Sequence, residues 1–186
     1  MGEPRIVVVT ASLPERNAFR AECIASVNAQ TLRPAAHIVM IDHERAGPAA
    51  MLNRMLTAAL ALGAEWIAQL ADDDLLDPNH LETLARNTEH ADVIWTHCRV
   101  EGRDNFLCNA DEFDANLLRV MNYIPATTLI RASLCDELGW RSDAAHGFED
   151  WDFWLRAMDT GARFSVVPEV TWTYRFHGAN LSTGGG

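Results

Sequence analysis

Three short apolar runs restrict the fold of this chain more than any other feature. Each ends on polar residues, and each is followed by a stretch with helical spacing. Residues 5–10 read Arg-Ile-Val-Val-Val-Thr, a β-branched run of the kind buried on both faces of a parallel sheet. Residues 37–41 form a second run that stops at Asp42. Residues 66–71 form a third, which delivers Asp72, Asp73 and Asp74 in succession. Between the first two, Pro14 and Glu15 open a helix reaching about residue 30, with Phe19, Cys23, Ile24 and Val27 at helical spacing and Pro34 as its breaker. Residues 48–62 form a second helix, stopped by Gly63. This alternation packs as a three-layer α/β/α sandwich around a mostly parallel central sheet. Ligands of such sheets bind beyond the carboxyl ends of the strands, so Thr10, Asp42 and the acid triplet are expected on one rim.

The remainder reads as a helix at 78–88, a strand at 91–97, and a loop at 100–113 signalled by Gly102, Asp104 and Asn105. A helix at 114–121, a strand at 126–130 and a helix at 132–138 follow. Residues 148–159 are helical and carry Trp151, Trp154 and Leu155, and two short strands split by Pro168 (164–167 and 170–176) close the chain. The length of 186 residues fits one domain, 1–183, with Gly184, Gly185 and Gly186 as a disordered tail. A net charge of −11 argues against a nucleic-acid or anionic-membrane surface, since both need basic patches. The same excess of acid requires that a phosphate-bearing substrate be met by a metal or by a few placed arginines. The four cysteines, Cys23, Cys98, Cys108 and Cys135, lack zinc-like spacing and read as free thiols of a reducing compartment. There is no apolar run of transmembrane length and no signal-peptide pattern, so a cytoplasmic location is expected.

Several common chemistries are missing. Residues 10–16 contain no glycine, which removes the dinucleotide fingerprint, and neither a phosphate-binding Gly-x-x-x-x-Gly-Lys loop nor a Gly-x-Ser-x-Gly elbow occurs. What remains is carboxylate chemistry. Three adjacent acids at the end of a buried strand repel one another and must partly desolvate, an arrangement that favours a bound hard cation such as Mg²⁺. The competing reading is a solvated acidic turn. A second constellation, His146-Gly147-Phe148-Glu149-Asp150-Trp151-Asp152, places acids at a helix start, where they suit the dipole or serve as a general base. Trp151 is either core or a flat platform for a sugar ring. Near the end of the chain, Arg175 suits a phosphate and His177 a metal, with solvated surface as the alternative.

Together these pieces resemble the family-2 glycosyltransferases. The helix end Ser26-Val27-Asn28-Ala29-Gln30-Thr31 is similar to that family's Ser-Val/Ile-x-x-Gln-Thr, and Val39-Met40-Ile41-Asp42-His43 to its Val-Val-Asp-Asp strand end, with His43 in place of the second acid. Pro48 and Asn53 match its Pro-x-x-x-x-Asn helix start. Leu129-Ile130-Arg131 and Leu138-Gly139-Trp140 resemble the segment before the catalytic helix. Glu149 and Asp150 match its Glu-Asp motif, and Arg175, His177, Asn180 and Ser182 the closing Arg-x-His series. The resemblance runs in order through nearly the whole chain.

It implies a GT-A, Rossmann-like fold and a metal-dependent, inverting transfer of a sugar from a nucleoside-diphosphate donor (UDP or another nucleotide) to a glycan, protein or small-molecule acceptor. By the same resemblance, Thr10 and Asp42 contact the nucleoside, Asp72 approaches the ribose, and Asp73 or Asp74 holds Mn²⁺ or Mg²⁺ on the diphosphate. Asp150 is the general base, supported by Glu149. Arg175 and His177 steady the diphosphate or the metal. Counted back from Pro78, the family's first acid falls on Ala71; read as Asp-x-Asp, the pair is Asp72 and Asp74. A catalytically silent sugar-nucleotide or glycan-binding module is the alternative, and a homo-oligomer that shares the acceptor site is compatible with both.

Overall fold

The computed structural model describes residues 3–102, 110–143 and 148–177. Cys108, His146, Gly147, Asn180, Ser182 and the expected tail 184–186 lie outside the described residues. In chain order the first elements are β1 (Ile6–Ser12), α1 (Asn17–Asn28), β2 (Ala36–Ile41), α2 (Pro48–Ala61), β3 (Trp66–Gln69), β4 (Leu75–Leu76) and α3 (His80–Ala85). They are followed by β5 (Val93–Glu101), α4 (Ala115–Leu118), β6 (Leu129–Arg131), α5 (Ala132–Leu138), α6 (Glu149–Asp159) and β7 (Phe164–Arg175).

The strands form one sheet in the order β2-β1-β3-β6-β5-β7-β4. The long ladders, β1–β2, β1–β3 and β5–β7, are parallel, while β6 runs antiparallel between β3 and β5. The β1 run alternates cleanly between two cores. Val7 and Val9 pack with α2, α5 and α6, whereas Ile6 and Val8 pack with α1 and α3. Burial on both faces accounts for the unbroken β-branched run and gives the expected three-layer architecture.

The structure departs from the sequence reading at three places that matter for the rim. The helix expected from Pro14 begins at Asn17, because residues 13–16 turn first, with the Arg16 N–H donating to Leu13 O at 3.1 Å. The strand expected to reach Ala71 stops at Gln69, and the chain turns through the acid triplet before rejoining the sheet as β4. The two closing strands are one. Thr96 pairs with Val167 and His97 with Val170, so Pro168, which has no N–H to give, falls in a bulge and does not end β7. Because β4 pairs antiparallel with β7, Leu75 against Thr173, the far end of β7 lies beside the acid triplet.

One close approach holds that end in place. Gly102 has φ of +87°, a Cβ built on it would lie 2.1 Å from Phe176 O, and the Phe176 N–H donates to Glu101 O at 2.8 Å. Gly102→Ala is expected to lower unfolding stability by about 2 kcal/mol, combining left-handed strain with the clash. Gly161→Ala, equally left-handed but facing open space, should cost only about 1 kcal/mol. Urea unfolding of both variants checks the difference.

Candidate active site

The acid triplet is buried and tied to cations of the chain itself. Asp72, Asp73 and Asp74 are 3%, 6% and 3% exposed. Asp72 accepts from Ser12 Oγ at 2.6 Å and from Arg16 Nη1 at 2.8 Å. The same Nη1 donates to Asp73 Oδ2 at 3.0 Å, and His177 Nε2 lies 3.0 Å from that oxygen. Asp74 Oδ1 accepts from the Arg175 backbone N–H at 3.1 Å. The Arg175 side chain donates to Asp73 O and to Glu22. Arg20 Nη1 donates to Ser12 Oγ at 2.8 Å, which connects the first turns of α1 to the same network. Phe19 anchors the closing segment: its ring stacks on His177 at 4.7 Å, and the Arg175 guanidinium lies 4.9 Å from its centre.

Electrostatics divides the three acids. Burial, then the negative charge of Asp73, pushes the Asp74 carboxyl well above the usual range, against the pull of the Arg175 N–H. Arg16 behaves in the opposite way: burial opposes its charge, but Asp72 and Asp73 outweigh that and hold the guanidinium charged. Among the described residues no three of His, Cys, Asp and Glu are arranged to hold a metal ion. The donor chemistry nevertheless suits a hard divalent ion: carboxylate oxygens with one imidazole. Arg16 Nη1 already lies between Asp72 Oδ1 and Asp73 Oδ2, where a shared cation is favoured.

The nucleoside residues expected from sequence sit differently. Thr10 is fully buried, and its hydroxyl pairs with His37 Nε2 at 3.0 Å, so it lies beneath the rim, and Ser12, two residues on, reaches it instead. Burial holds His37 down at about 4, so it is neutral at ordinary pH. Asp42 does stand at a strand end. Its two oxygens accept the Ala46 and Gly47 N–H groups, each at 2.8 Å, and so fold the following loop around it. Burial raises its carboxyl, but those two N–H bonds prevail and the net shift is downward.

Asp150 occupies the first turn of α6 beside Glu149. Burial pushes its carboxyl up to about 6, against bonds from the Asn122 side chain and the Trp151 N–H, with the charge of Glu149 adding to the rise. The Asn122 bond ties the start of α6 to the segment leading into β6. β6 runs antiparallel to β3, and Gln69 N–H donates to Thr128 O at 3.0 Å, so the segment leading into β6 passes the exit of β3. Trp151 is committed to packing. Its Nε1 donates to Leu118 O at 2.7 Å and its ring joins the core around α2 and α6. The exposed ring here is Phe148, 48% accessible and 5.9 Å from Trp151.

The sequence reading missed Ser12, Arg16, Phe19, Glu22 and Asn122. One of these was within reach: in a chain with a net charge of −11, Arg16 follows the first strand directly, where a phosphate or an acid cluster would need a cation. The other four act through contacts of long sequence separation, such as Glu22 with Arg175.

The geometry agrees with what the chain resembles in known proteins. No family model matches the chain. An uncharacterized glycosyltransferase of Bacillus subtilis strain 168, YwdF, is 28% identical over 166 residues, covering 82% of this chain and 60% of the relative. Staphylococcus aureus TarS in complex with UDP-GlcNAc matches with a TM-score of 0.76 at 16% identity, covering 97% of this chain and 61% of that one. A mannosyltransferase of Pyrobaculum calidifontis, in complex with GDP-Man and Mn²⁺, matches with a TM-score of 0.68 at 17% identity, over 97% and 59%. The fold is therefore the GT-A fold of glycosyltransferases. The resemblance read from sequence is supported by a named glycosyltransferase relative, and the chain spans about three-fifths of the length of the proteins it matches.

The raised carboxyl of Asp74 makes a stability prediction. Its folded form favours the proton more than its unfolded form does, so the ionised acid weakens the fold at neutral pH, and acidification relieves the loss. Asp74→Asn should stabilise the metal-free protein at neutral pH. The gain should shrink toward zero as pH falls. Denaturant titrations between pH 5 and 8 would show both.

Proposed function

We propose that the chain transfers a sugar from a nucleoside diphosphate to an acceptor hydroxyl, inverting the anomeric centre and using a divalent cation. The observation that carries this reading is the presence, in one GT-A domain, of a buried acid cluster and of a separate carboxylate, Asp150, raised to about 6. The ligands of TarS and of the mannosyltransferase, UDP-GlcNAc and GDP-Man with Mn²⁺, support the donor class. Asp73 and Asp74, with His177, would hold the cation; when bound it supplies charge neutralisation for the leaving diphosphate. Asp72 and Ser12 face the ribose side. The Asp42 loop flanks the base, with Thr10 and His37 beneath it. Arg175 fixes the acid turn, and Phe19 holds the imidazole of His177.

Asp150 takes the proton of the acceptor hydroxyl as its oxygen bonds to the anomeric carbon. The bond from that carbon to the diphosphate breaks on the opposite face, which inverts the centre, and Glu149 keeps the Asp150 carboxyl raised. A base near 6 is ionised at neutral pH and still basic enough to take the proton. Trp151 supports this turn from behind, and Phe148 is the ring available to an acceptor sugar.

Two measurements test the proposal. Thermal-shift titration with nucleoside diphosphates should show a selective stabilisation that grows with Mn²⁺. Asp150→Asn should keep that stabilisation and lose at least about 10²-fold in transfer rate. The rate should also fall tenfold per pH unit below about 6, because the base must be ionised. The existing ion pairs of Arg16 with Asp72 and Asp73 favour a second reading, a silent donor-binding module. Equal nucleotide binding with and without metal, and no turnover across a donor panel, would establish that instead.

A further inference from the structure

We propose that Arg16 is a resident counter-cation of the acid triplet, which a divalent ion must displace to reach Asp73. This rests on the metal-dependent reading above and identifies what controls occupancy of that site. The oxygen in question, Asp73 Oδ2, is claimed by Arg16 Nη1 at 3.0 Å and by His177 Nε2 at the same distance. These two neighbours are not equivalent. An imidazole nitrogen can turn from hydrogen-bond partner into metal ligand, and Phe19 holds the ring in place while it does so. A guanidinium has no lone pair to offer a metal and does not lose its charge, so it competes with a second cation for that oxygen. A divalent ion that takes Asp73 Oδ2 works against Arg16.

The fold allows it to leave. Arg16 caps the start of α1, and its backbone is fixed independently by Arg16 N–H to Leu13 O and Arg20 N–H to Arg16 O, at 3.1 and 3.0 Å. Its contacts with the acids come from the end of a long side chain that is 17% exposed. While Arg16 stays, Asp72 and Asp73 are neutralised without metal. Once displaced, the guanidinium needs another anion, which a bound nucleoside diphosphate supplies. Metal and diphosphate should therefore bind cooperatively, with Arg16 as part of the coupling.

The test is Mn²⁺ binding followed by electron paramagnetic resonance, which requires no turnover. Without nucleotide, Arg16→Gln should lower the Mn²⁺ dissociation constant at least tenfold relative to wild type. Arg16→Lys, which keeps a cation in place, should remain within a few-fold of wild type and guards against a general disturbance of the loop. Asp73→Asn should lose the tight binding in the Gln background. The factor by which UDP or GDP tightens Mn²⁺ should also shrink in Arg16→Gln. If Mn²⁺ binds wild type and Arg16→Gln equally, or the variant more weakly, Arg16 is not the competitor and this inference falls alone. If Mn²⁺ binds neither protein even with UDP and GDP present, the metal-dependent reading falls with it.

Discussion

The organising constraint is the burial of three consecutive carboxylates at the exit of a central strand. Water alone would screen such a cluster on an open surface, but at 3–6% exposure it cannot. The chain answers with Arg16 from the turn before α1, Arg175 and His177 from the end of β7, and Ser12 from β1. Much of the tertiary arrangement follows from that need. The two-residue strand β4 brings β7 alongside the triplet, the bulge at Pro168 lets β7 continue far enough to arrive, and Gly102 admits Phe176 to the close approach that fixes its end.

The same need explains why the first helix and the last strand, far apart in sequence, share one small cluster. Phe19 contacts both His177 and Arg175, and Glu22 takes the Arg175 guanidinium. A flat ring on one side and a carboxylate on the other restrict a long side chain to one geometry. The acid turn is therefore braced from α1 and from β7, and in the proposed function such preorganisation spares the site from rearranging as charge develops on the leaving group.

What was legible in the sequence was what depends on local pattern. The β1 run announced a strand buried on both faces, the stop at Asp42 and the triplet after β3 announced a polar rim, and Glu149 and Asp150 announced a helix start. What was hidden depends on long-range pairing. Pro168 read as a strand break because a single sequence does not reveal that its partner strand skips a step there. Thr10 read as a rim residue because β1 was ended two residues early, and side-chain alternation then carries the role to Ser12 on the same face. Trp151 read as either core or an open platform, and the Leu118 carbonyl decides for the core by fixing its indole, which leaves Phe148 outside.

Two carboxylate environments in one domain are set by different physics. Within the triplet, Asp72 and Asp73 share the Arg16 guanidinium and Asp73 also meets the His177 imidazole, while burial and the neighbouring Asp73 push the Asp74 carboxyl well above the usual range. Asp150 is raised by desolvation and by Glu149, with only an amide and a backbone N–H in opposition. A group destined to move a proton must sit near the pH at which it works, and Asp74 must give up its proton before it can join Asp73 on a cation. A guanidinium beside Asp150 would leave it too weak a base, and without Arg16 the paired charges of Asp72 and Asp73 would lose the cation that they share. The separation of acids by surroundings is thus the physical content of the proposed division of labour.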